Sequence, residues 1–165
     1  MPVGTTVTGS ASASAYLVEF SDYQCPACKA WEPTVTEIIS AYGDRMQFAY
    51  RHFPLDQHQV ADTAARAAEA AGLQGKFWEM HSLLFGNQER MSDTIFAELA
   101  AQLSLDNDRF QNDMNSAAVR EKIGRDRGDG IKFGVDSTPS FYLNGRKLEL
   151  KEFDDLKKAV SQAVK

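Results

Sequence analysis

Cys25 and Cys28 are the two cysteines of this 165-residue chain, and only Pro26 and Ala27 separate them. Thiols at that spacing reach one another, so the pair suits disulfide exchange: one sulfur attacks and the other resolves the mixed disulfide. The attacking species is a thiolate. Pro26 suits the first turn of a helix. Ala27, Trp31, Val35, Ile38, Ile39 and Tyr42 follow at helical spacing. Upstream, Tyr16–Phe20 is a β-rich apolar run that reads as a buried strand. Cys25 therefore falls at a strand-to-helix turn, where free N–H groups and the helix dipole favour negative charge. Cys25 is expected to attack. Cys28, one turn inside the helix and more buried, is expected to resolve. A zinc half-site is a competing use of such a pair. It needs further ligands, yet there is no second cysteine pair, and His52, His58 and His81 lack ligand-like spacing. A structural disulfide or inert packing is the other alternative, and the strand-turn-helix setting opposes it.

The elements that must position this pair follow from the rest of the pattern. Pro33 falls inside the first helix and should kink it, and Gly43 should end it as a C′ residue. Met46, Phe48 and Tyr50 alternate with Gln47 and Ala49 as a second strand, closed by Pro54. From about His58 to Gly134 the periodicity is helical only. It predicts five helices, the third capped by Ser92 or Asp93 and the fourth by Asp106. The mixed charges of Arg120–Lys132 read as a solvated helix face. Ser140–Leu143 and Arg146–Leu150 flank Asn144-Gly145, a type I′ hairpin signal. Phe153, Leu156, Val160 and Val164 predict a final amphipathic helix. The order β-α-β, helices, β-β-α predicts one α/β domain from residues 15–57 and 135–165, with a helical insertion over 58–134.

Composition narrows the function classes. Hydrophobic residues are 43% and charged residues 25%, enough apolar mass for a core without staples. The net charge of −5 disfavours nucleic acid as a partner. No apolar run approaches the roughly 18 residues of a membrane span. Residues 1–14 are small and polar, with neither a basic start nor an apolar core. They read as a flexible leader rather than a signal peptide.

The run Glu19-Phe20-Ser21-Asp22-Tyr23-Gln24-Cys25-Pro26-Ala27-Cys28, with Pro33 and Thr138-Pro139 ahead of the last hairpin, resembles the thioredoxin superfamily. The helical block, Phe53-Pro54-Leu55…His58, Gln74–Trp78 and Thr138–Gly145 make the resemblance specific to the DsbA-like thiol–disulfide oxidoreductases. It covers nearly the whole chain from Tyr16 onward. It implies a thioredoxin-like fold with a helical insertion, and exchange of disulfides with unfolded or reduced protein substrates. It implies a cis bond at Thr138-Pro139 beside Cys25, with Thr138 and Pro139 contacting substrate. It implies a buried acid at Glu19 that exchanges a proton with Cys28. No metal or organic cofactor is needed. Oxidation is the favoured direction, in an extracytoplasmic compartment with a quinone-linked membrane reoxidant. A reductase or isomerase would need an electron donor instead. Ala27 stands where the founding member has His, so Cys25 must rely on the helix start and backbone N–H groups.

Two other classes use this fold. Glutathione-dependent transferases and isomerases act on small molecules, but they typically lack the cysteine pair. A peptide-holding module would use the groove without chemistry. His58 is expected to start a helix or pack, and His52 and His81 to be surface or core residues. Tyr23, Trp31 and Phe141 suit either a groove or the core.

Overall fold

The computed structural model describes residues 4–165. Among these, five strands form one sheet in the order β1-β3-β2-β4-β5. β2 (Ala15–Ser21) is central, parallel to β3 (Met46–His52) and antiparallel to β4 (Ser140–Leu143). β5 (Arg146–Lys147) completes the hairpin through Asn144 and Gly145, at φ 50° and 82°. Both values are positive, as a type I′ turn requires. The outer strand β5 is shorter than the run Arg146–Leu150. Leu148 and Leu150 turn inward instead, to pack on the core.

Strand alternation sorts the sheet into two faces. Leu17, Phe48 and Tyr50 join the main core, together with Val35 and Ile38 of α1 (Pro26–Tyr42) and Leu156 and Val160 of α7 (Phe153–Ala163). Phe20 and Tyr142 form a second cluster with Phe53 and Val135 on the other face. Between β3 and β4 stand α2 (Ala61–Gly72), α3 (Phe77–Gly86), α4 (Ile95–Gln102), α5 (Asn107–Met114) and α6 (Ala117–Lys132).

Four details differ from the sequence reading. Residues 6–9, inside the expected leader, form strand β1 (Thr6–Gly9), antiparallel to β3. Thr6, Val7 and Thr8 are β-formers. Gly9 passes over Met46 at φ 96°, where a Cβ would strike the Met46 carbonyl oxygen. Residues 1–3 of that leader lie outside the described residues. Gly43 ends α1 in a right-handed conformation, φ −61°. Its lack of a side chain matters because a Cβ would lie 2.6 Å from Ile39 O. α4 begins after Thr94, with no side-chain cap from Ser92 or Asp93.

The fourth difference concerns Arg120–Lys132, which is not simply a solvated face. Asp126 is buried on α6 and takes Arg51 Nε at 2.5 Å and the His52 N–H at 3.2 Å. Arg51 also donates to Asp129 at 2.7 Å. Lys122 and His52 both donate to the buried Glu69 of α2, at 2.5 and 2.8 Å. Burial pushes the Glu69 carboxyl up, but these two partners overcome it and hold it below its usual range. The network fastens the insertion to β3. Helical periodicity reports apolar faces, so it missed a face buried through ion pairs.

Candidate active site

Cys25 is the N-cap of α1, at φ −75° and ψ 120°, and Pro26 opens the first turn. The preceding loop is fixed mainly by Asp22. Its buried carboxylate accepts from Gln24 N at 2.7 Å, Leu55 N at 2.8 Å and His58 Nδ1 at 2.7 Å. His58 thus orients the loop rather than meeting a sulfur. From the insertion, Gln88 Nε2 donates to the carbonyls of Tyr23 at 2.8 Å and Cys25 at 3.0 Å. Asp22 and Gln88 were not singled out from sequence. Asp22, an Asx residue next to a turn, carried a usable signal; Gln88 carried none.

The two thiols occupy unequal settings. Cys25 is 7% exposed and Cys28 0%. Cys25 Sγ lies 3.4 Å from Thr138 O, and the Thr138–Pro139 peptide bond is cis. The neighbouring Cys28 thiol pulls the Cys25 thiol down to about 5. Burial opposes this, whereas the Thr138 hydroxyl and the N–H groups of Cys28 and Ala27 lower the thiol further. Cys28 moves the opposite way. Burial pushes it far up, reinforced by its neighbours Cys25 and Glu19.

Glu19 lies under the pair on β2, 1% exposed. Burial raises its carboxyl to about 8, and the charges of Glu32 and Cys25 add to the rise. The nearby Ser21 hydroxyl opposes it, without reaching normal hydrogen-bond geometry. Glu19 is register partner to Tyr50 on β3 and to Phe141 on β4. Tyr23 and Phe141 are buried core rings, and Trp31 is partly buried between Phe141 and Phe153. His81 is buried among Tyr23, Tyr50 and Phe85. Among the described residues, no cluster of His, Cys, Asp or Glu is placed to hold a metal ion.

An acidic thiol at a helix start, a second, more deeply buried thiol and a buried carboxyl thus lie together. Residues 2–162 match the thioredoxin family. The chain belongs to that family. It is similar to a thioredoxin-like oxidoreductase from Silicibacter pomeroyi DSS-3, with 30% identity and a TM-score of 0.85, covering 98% of this chain and 93% of that one. BdbD from Bacillus subtilis shares the fold at 22% identity and TM-score 0.83, over 98% and 93% of the two chains. So does the thiol-disulfide exchange protein α-DsbA2 from Wolbachia pipientis, at 21% and 0.86, over 97% and 87%. The thioredoxin-like fold with its helical insertion is therefore the DsbA-like one. Among curated proteins, the chain is 38% identical over 142 residues to Na(+)/H(+) antiporter NhaA 3 of Salinispora tropica. That match takes in 86% of this chain and 22% of the antiporter, so the chain spans about a fifth of such relatives.

Proposed function

We propose that this chain oxidises protein thiols by passing on a Cys25–Cys28 disulfide. The observation that carries the direction is the Cys25 thiol, lowered to about 5. A stabilised thiolate favours the reduced pair, and that makes the disulfide a stronger oxidant. A substrate thiolate attacks Cys25 Sγ, and Cys28 leaves as a thiolate that takes the proton of Glu19. A second substrate thiolate then displaces Cys25, leaving the substrate oxidised and the protein reduced. The Thr138 carbonyl lies beside Cys25 Sγ, next to Pro139, where the Thr138 main chain suits pairing with an extended polypeptide.

The working compartment in this reading is extracytoplasmic, and the reduced pair is reset by a membrane-linked oxidant. Transport is named only for the longer antiporter relatives. The test is the reduction potential of the pair against glutathione, with turnover assays in both directions. A potential at or above about −200 mV, with faster oxidation of reduced protein than reduction of disulfides, is expected. A potential near the thioredoxin value of about −270 mV would sink the oxidative direction in favour of a reductase.

A further inference from the structure

Gln88 stands on the short helical turn Gln88–Arg90 that follows α3, inside the helical insertion. Its side-chain nitrogen donates to Tyr23 O at 2.8 Å and to Cys25 O at 3.0 Å. Both partners are carbonyl oxygens, so only the amide nitrogen can face them. That nitrogen carries two hydrogens, and both are spent on the loop of the attacking sulfur. Tyr23 O has no other hydrogen-bond partner among the described residues. Cys25 O also takes the N–H of Lys29, at 3.2 Å. The turn that carries Gln88 is itself held. Asn87 Nδ2 donates to Leu83 O at 2.8 Å, closing the end of α3, and Arg90 Nη1 donates to Asn87 Oδ1 at 3.2 Å. The ion pair of Lys29 with Glu89, at 3.2 Å, also joins α1 to this turn. The Glu89 side chain is 90% exposed, however, and such pairs contribute little.

Gln88 acts where the thiol becomes reactive. Cys25 is the N-cap of α1, and an N-cap side chain faces the first free N–H groups of its helix. Pro26 has no N–H, which leaves those of Ala27 and Cys28 for the sulfur. They reach it only while Cys25 keeps its extended conformation, φ −75° and ψ 120°. The angle ψ is the rotation that turns the Cys25 carbonyl. Gln88 holds that carbonyl, and also the Tyr23 carbonyl two residues earlier, so it fixes the rotation that aims Sγ. Asp22 secures the donor side of the same loop, through Gln24 N at 2.7 Å and through its own carbonyl, which takes Cys25 N at 3.1 Å.

We propose that Gln88 is a positioning residue for Cys25, and that through it the helical insertion sets the reactivity of the attacking sulfur. The proposal rests on the dithiol reading above. Without the two donors the Cys25 carbonyl turns, Sγ leaves the N–H groups, and the thiolate loses part of its stabilisation. The other groups that face the sulfur stay in place: Cys28 on the same helix, Glu19 on β2 and Thr138 ahead of β4.

The test is the pH profile of Cys25 alkylation in the reduced protein, read by peptide mapping. Gln88→Met keeps the length of the side chain and removes both donors. Its midpoint should rise by about one pH unit, a tenfold loss of thiolate stabilisation. The exchange equilibrium with glutathione should move about tenfold toward the Cys25–Cys28 disulfide, a potential about 30 mV lower. Gln88→Ala lets water reach both carbonyls, so its shift should have the same sign and be smaller. Glu89→Ala, on the same turn, should keep the wild-type profile. Cys28 should stay unreactive in all three variants. Wild-type midpoints in both Gln88→Met and Gln88→Ala would overturn the proposal. So would a shift accompanied by alkylation of Cys28, the mark of a loosened fold rather than of a turned carbonyl. A midpoint near the free-thiol value of about 8.5 in the wild type itself would refute the dithiol reading, and the role of Gln88 with it.

Discussion

Cys25 Sγ sits 3.4 Å from the carbonyl oxygen of Thr138, a residue 113 positions along the chain. A carbonyl accepts and never donates, so it favours the S–H form as a partner while the helix start favours the thiolate. The N–H groups and the Cys28 thiol prevail, and the Cys25 thiol titrates at about 5. Alkylation of the reduced protein should therefore rise with pH around 5 and level off well below the free-thiol value of about 8.5. Peptide mapping after iodoacetamide at pH 7 should find Cys25 modified at least about a hundredfold faster than Cys28, which is buried and held protonated. Similar rates at the two sulfurs would remove the attacking and resolving roles.

The same shift sets a pH dependence of stability. The Cys25 thiol is lower in the folded chain than in the unfolded one. Its contribution to the reduced form is complete above about 8.5 and disappears as pH falls through about 5. The oxidised form has no such group. Denaturant titrations should show the reduced protein gaining on the oxidised one between those limits as pH rises.

Glu19 has the opposite sign. Its carboxyl is raised from 4.5 to about 8, so the fold loses stability as pH climbs through that interval. Glu19→Gln should be more stable than wild type by a margin that grows to about 2–4 kcal/mol near pH 8. It should also slow exchange about tenfold at neutral pH. Urea unfolding at pH 4.5 and pH 8 checks the first expectation, and the rate at which a glutathione mixed disulfide on Cys25 resolves, followed by mass spectrometry, checks the second.

Breaking the pair that ties α6 to β3 should be severe. Asp126→Ala leaves Arg51 buried at 4% exposure without its nearest partner. A loss of about 3–5 kcal/mol is expected by equilibrium denaturation. A loss under about 1 kcal/mol would show that Asp129 alone suffices for Arg51.

Two glycines of α6 should part company. A Cβ on Gly130 would lie 2.6 Å from Phe53 Cδ2 and 3.1 Å from Phe20 Cδ1, so both rings must shift. Gly130→Ala should cost about 1–3 kcal/mol. Gly124 has nothing within 4 Å, and Gly124→Ala should add up to about 1 kcal/mol through helix propensity. Thermal melts of the two variants, read side by side, decide this.

The sequence carried the site's chemistry at short range. Cys25, Pro26 and Cys28 announce a helix start, and Glu19 stands out as an acid in an apolar strand. Alternation in Met46–Tyr50 and the Asn144-Gly145 turn marked strands that the sheet uses. Edge strand β1 was too short and too rich in Thr and Gly to stand out from a polar leader. Gln88, the His81–Tyr23 pair and the distant partners of Asp22 were hidden for another reason. Their partners lie far away in sequence, at 33 to 65 residues, and periodicity does not report side-chain hydrogen bonds across such gaps.

The placement of five helices between β3 and β4 also governs when the chemistry begins. A ribosome delivers the chain N-terminus first, at about 5–20 residues per second. Cys25 emerges before Gln88, which lies inside the insertion, and Thr138 follows only after the whole insertion has been made. Until β4 docks, β2 has an unpaired edge and Cys25 lacks the carbonyl beside its sulfur. The nascent thiol therefore spends its vulnerable seconds in an unfinished setting, and its full reactivity arrives only once Thr138 has been made and β4 has docked on β2.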